Sequence, residues 1–372
     1  MASEVLFFKI EDKSKVDLEK IGEKVFETFA DFFDVNDRLA IKTHFGEPKN
    51  TTSPSPKFIK AIYKKLEPVV GQIALVDCNV LYKGERTNAT SHKNLAIKRG
   101  FDFGVIDILD GEIGQPALAT PARNAVSTAG WPEALLAGEY EVEIPVVSLN
   151  GQAKHFKTAK IGKGLEKYNA ILAISHFKGH MACGIGGAIK NIGMGLGSRA
   201  GKLAMHKAFR LEVDSAKCAG CGLCQKECPN NAIEIINQKA TINYSKCLGC
   251  AKCLAICPNS AFLIPWHEGV KDIQEKIGEY ALAALAGKKA LFVNLLIDIT
   301  RSCDCMNENQ TPFLGDIGIL ISKDPVAIDQ ASLDLAGKEN FTKGGAINPE
   351  AQIVYGQAIG LGKKEYTLKI IN

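Results

Sequence analysis

Eight of the twelve cysteines fall in two runs of identical spacing. The first, CAGCGLCQKECP, holds Cys218, Cys221, Cys224 and Cys228 before Pro229. The second, CLGCAKCLAICP, holds Cys247, Cys250, Cys253 and Cys257 before Pro258. Both read C-x2-C-x2-C-x3-C-P. They repeat at 29 residues, from 218 to 247, with Asn230/Asn259 and Ala232/Ala261 also in register. Three thiolates two residues apart can wrap three irons of one cubane cluster, while the fourth points away to the other cluster. The spacing therefore predicts two [4Fe–4S] clusters. One is expected on Cys218, Cys221, Cys224 and Cys257, the other on Cys247, Cys250, Cys253 and Cys228. Paired zinc sites are the competing chemistry, but zinc ribbons use two C-x2-C pairs roughly 15–20 residues apart. Four cysteines within residues 218–228 do not fit that pattern.

A second cysteine feature is the Cys303/Cys305 pair in DITRSCDCMNEN. In extended backbone, residues i and i+2 project to the same side, so two thiolates can reach one metal. A disulfide across so short a loop would be strained. Cys183, His176 and His180, in SHFKGHMAC, are candidate further ligands, because Cys and His suit soft and borderline metals. Three readings stay open: a third metal or cluster bound by Cys303 and Cys305, a redox-active or substrate-contacting thiol pair, and inert thiols. Cys78 reads as a buried small hydrophobe.

Candidate catalytic residues are Lys42 and His44 in KTHFGEP and Lys190 after GIGGAI, which would orient a substrate or donate protons. Lys190 and Asn191 are expected on a helix whose first N–H groups could hold an anion; tight packing explains the glycines equally well. Arg86, in LYKGERTNATSH, reads as an anion partner or as a solvated loop residue. GIGGAI lacks the third glycine of G-x-G-x-x-G, and GSRAGKL lacks the P-loop Ser/Thr, so neither NAD nor ATP is expected.

These residues need a scaffold. Apolar strand-like runs (VLFFKI, RLAIKTHFG, QIALVDCN, GVIDILD, NAILAISHFKGH) alternate with helical ones at 16–33, 54–66 and 91–101. The rhythm resumes after the cysteine runs, with a helix at 268–286 and strands at ALFVNLLIDI, DIGILIS and YTLKII. Helices are also expected at DPVAIDQASLDLAG and PEAQIVYGQAIG. This pattern predicts an α/β fold, a mainly parallel sheet with flanking helices, plus an inserted ferredoxin-like 2[4Fe–4S] α+β module. The domain reading is one discontinuous α/β domain, 1–211 and 265–372, around a two-cluster domain at 212–264; three domains in series are the alternative. Residues 112–160 are less regular and read as an antiparallel excursion or a lid. Open parallel sheets bind ligands beyond the carboxyl ends of their strands. The polar residues after several strands, including Glu47, Asp77, Asp298, Arg301, Asp304 and Asp324, are expected along one crevice.

The chain has 372 residues, 46% hydrophobic and 23% charged, with a formal charge of +4 and no basic runs. That excludes a nucleic-acid groove or a polybasic membrane patch. No secretion signal and no membrane span are read, so a cytoplasmic, disulfide-free, metal-binding protein is expected, suited to anaerobic conditions.

The double quartet resembles a bacterial two-cluster ferredoxin over residues 212–264. Together with IKTHFGE, LYKGERTNATSH, GAIKNIGMG, CDC and DIGILISKDPVAID, it resembles the domain of unknown function 362 family, in its iron–sulfur-binding branch, from about residue 4 to about residue 360. The resemblance implies the two clusters and the α/β domain around them. It carries over His44, His176, Lys190, Asn191, Cys303, Cys305, Asp324 and Asp329 as motif positions, without a reaction. Two functions follow. One is an oxidoreductase that passes electrons through two [4Fe–4S] clusters to a Cys/His site in the α/β domain. The other is a non-catalytic, ferredoxin-type electron carrier whose α/β domain docks a partner. The expected partner is a redox protein or a small-molecule electron acceptor, and a homo-oligomer is left open.

Overall fold

A computed structural model describes residues 2–112, 141–148, 151–206, 211–264, 272–342 and 347–371. The strands are β1 (Ser3–Lys9), β2 (Arg38–Lys42), β3 (Gln72–Asp77), β4 (Ile106–Ile108), β5 (Glu141–Pro145), β6 (Thr158–Gly162), β7 (Ala170–His176) and β8 (Lys178–His180). They continue with β9 (Gly184–Gly186), β10 (Glu212–Val213), β11 (Ile233–Ile236), β12 (Lys239–Ile242), β13 (Phe262–Leu263), β14 (Lys289–Leu296), β15 (Gly318–Ser322) and β16 (Tyr366–Ile371). The helices are α1 (Leu18–Glu27), α2 (Pro56–Leu66), α3 (Ala89–Lys98), α4 (Ala188–Leu196), α5 (Arg199–Met205) and α6 (Leu223–Lys226). After them come α7 (Lys252–Ile256), α8 (Ile273–Leu285), α9 (Pro325–Ala336), α10 (Glu339–Thr342) and α11 (Ala351–Ala358).

Eight strands form one sheet in the order β16-β1-β15-β14-β7-β2-β3-β4. Strand β15 runs antiparallel to β1 and β14, and every other neighbouring pair is parallel. The fold is thus mixed α/β around a large, mostly parallel sheet. Strand β7, AILAISH, is buried at every position, the continuous apolar run of a parallel strand covered on both faces. Alternation sorts the side chains. Ala40, Ala74 and Ala173 face helices α4, α8, α9 and α11, while Leu39, Ile41 and Leu75 face α1 and α2. The connections β2→β3→β4 step one way across the sheet, and β7 lies on the other side of β2. That reversal opens a crevice at the carboxyl ends of β2 and β7.

Strands made before and after residues 212–264 interleave in this sheet, since β14 pairs with β7. Residues 212–264 form two small antiparallel pairs of their own, β10–β13 and β11–β12. Part of the irregular 112–160 stretch is an antiparallel pair, β5 with β6. Its positions 113–140 and 149–150 lie outside the described residues, as does the start of the 268–286 helix. Among the described residues, no helix is long and apolar enough to cross a membrane.

Candidate functional site

The eight quartet cysteines repeat in conformation as well as in spacing. Gly220 and Gly249 have φ of 65° and 67°, Gly222 and Ala251 75° and 58°, and Asn231 and Ser260 48° and 51°. Each pair is related by the sequence repeat, and the left-handed turns lead into the equivalent helices α6 and α7. The sulfurs accept backbone N–H groups in the same way. Ala232 N donates to Cys228 Sγ at 3.2 Å, and Ala261 N to Cys257 Sγ at 3.3 Å. Ala240 N donates to Cys218 Sγ at 3.3 Å.

The cysteines sort into two groups across the repeat. Burial, and then the charges of Cys221, Cys257 and Cys218, push the Cys224 thiol up to about 11. Cys228, Cys247, Cys250 and Cys253 line one small pocket, which Leu203 and Leu211 close. In both groups the fourth cysteine comes from the other run. Among the described residues, no three His, Cys, Asp or Glu side chains converge on one point as ligands of a single metal ion would.

The second candidate site is a cavity of about 640 Å³ at the carboxyl ends of β2, β3 and β7. Lys42, His44, His176, His180, Cys183, Lys190, Cys303 and Cys305 all line it. The hairpin β8–β9 brings His180 and Cys183 over the end of β7. Gly179 N donates to Thr300 O at 2.8 Å, and any Cβ on Gly179 would collide with the Arg301 carbonyl. This close approach seats the Cys303 loop beside His180.

Cys303 is buried, and its sulfur gathers donors. The backbone N–H of Cys305 lies 3.4 Å away and Lys190 Nζ 3.9 Å away. A hydrogen bond from the Cys305 thiol, helped by Lys190 and His180, outweighs burial and holds Cys303 well below the usual thiol range. Cys305, the donor of that bond, is pushed well above it. The hydrogen bond between the two sulfurs thus favours the thiolate form of Cys303 and the thiol form of Cys305. His180 Nδ1 accepts the N–H groups of Ala182 and Cys183 at 3.1 and 3.2 Å, which leaves the ring hydrogen on Nε2. Burial lowers its pKa, but the Cys183 and Cys303 sulfurs more than reverse this. Burial also opposes the Lys190 charge, and the sulfurs of Cys303, Cys183 and Cys305 prevail, so its pKa is raised.

His176 serves the site from behind. Its Nδ1 lies 2.9 Å from Asp304 Oδ1 and its Nε2 3.1 Å from the carbonyl of Asp298. Asp298 reaches that position through a left-handed φ of 55°, an uncommon conformation for a non-glycine residue. Lys178 Nζ donates to the other Asp304 oxygen at 2.8 Å. Both nitrogens of His176 are thereby engaged. Asp304 is anchored between the two cysteines, with its carboxylate turned away from them.

The cavity floor is a buried ion network. Lys42 Nζ lies 3.0 Å from Asp77 Oδ1 and 2.8 Å from Asn191 Oδ1. Arg86 donates to Asp77 at 2.8 Å and to Glu47 at 3.0 Å. Against the effect of burial, Lys42 and Arg86 hold the Asp77 carboxyl well below the usual range. Burial depresses the pKa of Lys42. Burial and the Arg86 charge take His44 down to about 3, leaving a neutral ring. Arg86 is thus neither a solvated loop residue nor free for an outside anion. Cys78 is fully buried, and its thiol donates to Leu196 O at 3.4 Å.

Helix α4 carries Lys190 and Asn191, and its glycines bring it close. A Cβ at Gly195 would stand 2.6 Å from Lys42 Cε, and one at Gly193 would overlap the Ile277 carbonyl of α8. Asp329, on α9, accepts Ala188 N at 2.7 Å and Ile189 N at 2.9 Å, which fastens the start of α4. Burial raises the Asp329 carboxyl to about 6. Asp324 lies outside the cavity. It caps α9 through Val326 N and Ala327 N. Sequence reasoning did not find the Arg86–Glu47–Asp77 network or the Asp304–His176–Lys178 cluster. The polar residues following successive strands were the available signal.

Helix α5 separates the two sites. Lys202 and the adjoining His206 line the cavity, while Leu203 of the same helix lines the pocket of Cys228, Cys247, Cys250 and Cys253. Leu81 lines the cavity and also packs in the core that contains Cys224, Ala251 and Phe262.

Among solved structures, a Thermotoga maritima protein superposes with a TM-score of 0.40 at 13% identity, over 94% of this chain and 60% of that one. The lactate racemase apoprotein from Thermoanaerobacterium thermosaccharolyticum gives 0.36 at 13%, over 78% of this chain and 50% of that one. The chain therefore spans 60% or less of the length of either structure. A comparison with curated proteins finds no match. A family model described as a domain of unknown function, DUF362, matches residues 39–334, a span that runs from β2 to α9 and contains both sites. The chain belongs to the DUF362 family.

Proposed function

We propose that the protein is an iron–sulfur oxidoreductase of the ferredoxin-bearing kind, in which two [4Fe–4S] clusters serve a thiolate–lysine cavity. The observation that carries this reading is the shared wall of α5 and Leu81, with a cysteine-lined pocket on one side and the Cys303 cavity on the other. The residues present fit the clusters. Each group has four thiols, with the fourth supplied by the other run, and backbone N–H groups already point at the sulfurs. Cys218, Cys221, Cys224 and Cys257 would hold one cluster, and Cys247, Cys250, Cys253 and Cys228 the other. When bound, they would supply electrons one at a time to a two-electron step, drawn from a reduced carrier protein.

The chain's own residues set up that step. The Cys303 sulfur faces the cavity as a thiolate, while the Cys305 thiol and the Lys190 ammonium each keep a proton beside it. Cys305 and Lys190 would each hold a proton within the cavity for a small molecule bound there. Lys42 and Arg86 balance Asp77 and Glu47 and give the floor a fixed shape. His44, neutral and fixed, positions without donating charge. His176 and Asp304 hold the Cys303 loop in place. The engagement of His176 favours a thiol site over a third metal on Cys303, Cys305, Cys183, His176 and His180. An electron carrier that only docks a partner has no use for this buried cavity.

Metal content of anaerobically purified protein tests the reading. About eight irons per chain are expected, unchanged in Cys303→Ser and Cys305→Ser. Extra metal lost in both variants would establish the third metal site instead. Iron well short of eight would remove the basis of the proposal.

A further inference from the structure

Arg199 opens α5 and is 1% exposed. Its Nη1 donates to the carbonyl oxygens of Val80 and Thr87, the latter at 3.2 Å. Its Nε and Nη2 have no hydrogen-bond partner among the described residues. A guanidinium carries five N–H donors and keeps its charge in proteins, so leaving two of its nitrogens buried and unpaired is costly. The helix sets the side on which Arg199 lies. Arg199 and Leu203 are four residues apart and share one face of α5, and Leu203 lines the pocket of Cys228, Cys247, Cys250 and Cys253. Burial lowers the Arg199 pKa to about 10, against the Asp110 carboxylate and then the Cys253 and Cys250 sulfurs, which favour its charge.

We infer that Arg199 is a positioning residue for the cluster of the second quartet, and that it makes this cluster the electron-accepting one of the pair. The inference rests on the iron–sulfur reading above. A reduced cluster carries one more negative charge than an oxidised one. A buried cation and free N–H donors beside its sulfurs favour the reduced state and raise the potential. The other quartet has Cys221 at the exposed surface, and the ammonium beside it, Lys239, is only part-buried and is taken up by the Cys218 carbonyl at 2.7 Å. With both clusters bound, one electron would pass from the first, thereby oxidised, to the second, thereby reduced. No proton moves and no bond breaks. The order runs from the exposed Cys221 end, through the second cluster, to the α5 wall of the cavity.

An EPR-monitored redox titration of the anaerobic, iron-loaded protein tests this. The wild type should show two separated reduction steps. In Arg199→Gln, the higher step should fall by at least a tenfold change in the reduced-to-oxidised ratio, 59 mV for a one-electron couple, with the lower step in place. Arg199→Lys keeps the charge and loses the planar fork, so the same step should fall by less than tenfold. An Arg199→Gln protein with eight irons and unmoved steps overturns the inference, as does an equal shift of both. Should Arg199→Gln fail to load iron, Arg199→Lys decides: a fall confined to the higher step supports the role, and no change overturns it. A wild type without clusters overturns the iron–sulfur reading itself, and the iron assay detects that before any potential is measured.

Discussion

Lys190 Nζ stands 3.9 Å from the Cys303 sulfur, on a helix whose first turn is fastened by a carboxylate from α9. The ammonium and the sulfur are both buried, and each favours the charged form of the other. The Cys305 thiol contributes more still, since its hydrogen bond is the largest influence on Cys303.

Alkylation of Cys303 should therefore persist well below the pH at which an ordinary thiol stops reacting. Iodoacetamide labelling, read by mass spectrometry of the 298–309 region, gives the profile. Cys305→Ala removes the thiol donor and Lys190→Met the cation, and each should move the profile to higher pH. A profile that stays put in both variants would show that the sulfur is not a thiolate.

Asp329 gives a second test with a defined sign. Its carboxyl sits at about 6 in the folded protein, against 3.8 for a free aspartate. Between these values the folded state holds a proton that the unfolded state has released. Stability should rise as pH falls through 6, be fully gained below about 4, and be lost again above 6. Two pH units correspond to about 3 kcal/mol, an upper figure for one buried group. Asp329→Asn does not titrate, so urea unfolding of the wild type relative to this variant should show the gain between pH 7.5 and pH 4.5.

The ion network under the cavity is expected to resist dissection. Asp77→Asn leaves Lys42 and Arg86 buried with too little negative charge, a change that typically costs about 3–5 kcal/mol. Calorimetry should show a clear fall in melting temperature. A fall of a degree or less would mean that water or a ligand already shares the charge.

Glycine substitutions separate close packing from helix propensity. Gly193→Ala pushes a methyl into the Ile277 carbonyl and should destabilise by about 1–3 kcal/mol. At Gly278, on the facing helix α8, the nearest atom to a new Cβ is Tyr355 Cδ1 at 3.4 Å. Gly278→Ala should be neutral, or stabilising by up to about 1 kcal/mol, because alanine is the better helix former.

Removal of the proposed clusters should act locally. Residues 212–264 have two- and four-residue strands and a small core in which the cysteines themselves take part. Chelation should raise hydrogen exchange there to near-unprotected rates while β2, β7 and β14 stay protected. Equal loss of protection in both regions would show that the two cooperate as one folding unit.

Much of this architecture is legible in the residues themselves. The runs RLAIK, QIALVD and AILAISH read as parallel strands because their central residues are continuously apolar, with polar residues only at the ends. The glycines at 193 and 195 mark a helix that must come close. What escaped was pairing at long range. Arg86 stands 39 residues from Glu47, and His176 stands 128 from Asp304. No local pattern says that these charges end beside each other. The alternation around Cys303 foretold two sulfurs on one side. It did not foretell that Asp304, between them, would be held by a histidine and a lysine from the β7 end.

Strand β14 is central to the sheet, yet it is encoded after all eight quartet cysteines. On the ribosome, β7 emerges more than a hundred residues before the neighbour that covers its free edge. A nascent chain paused near residue 264 thus presents the open edge of a strand that opens with five apolar residues, a template for pairing with other chains. Prompt completion of synthesis, or a chaperone over that edge, becomes part of how this protein reaches its native state.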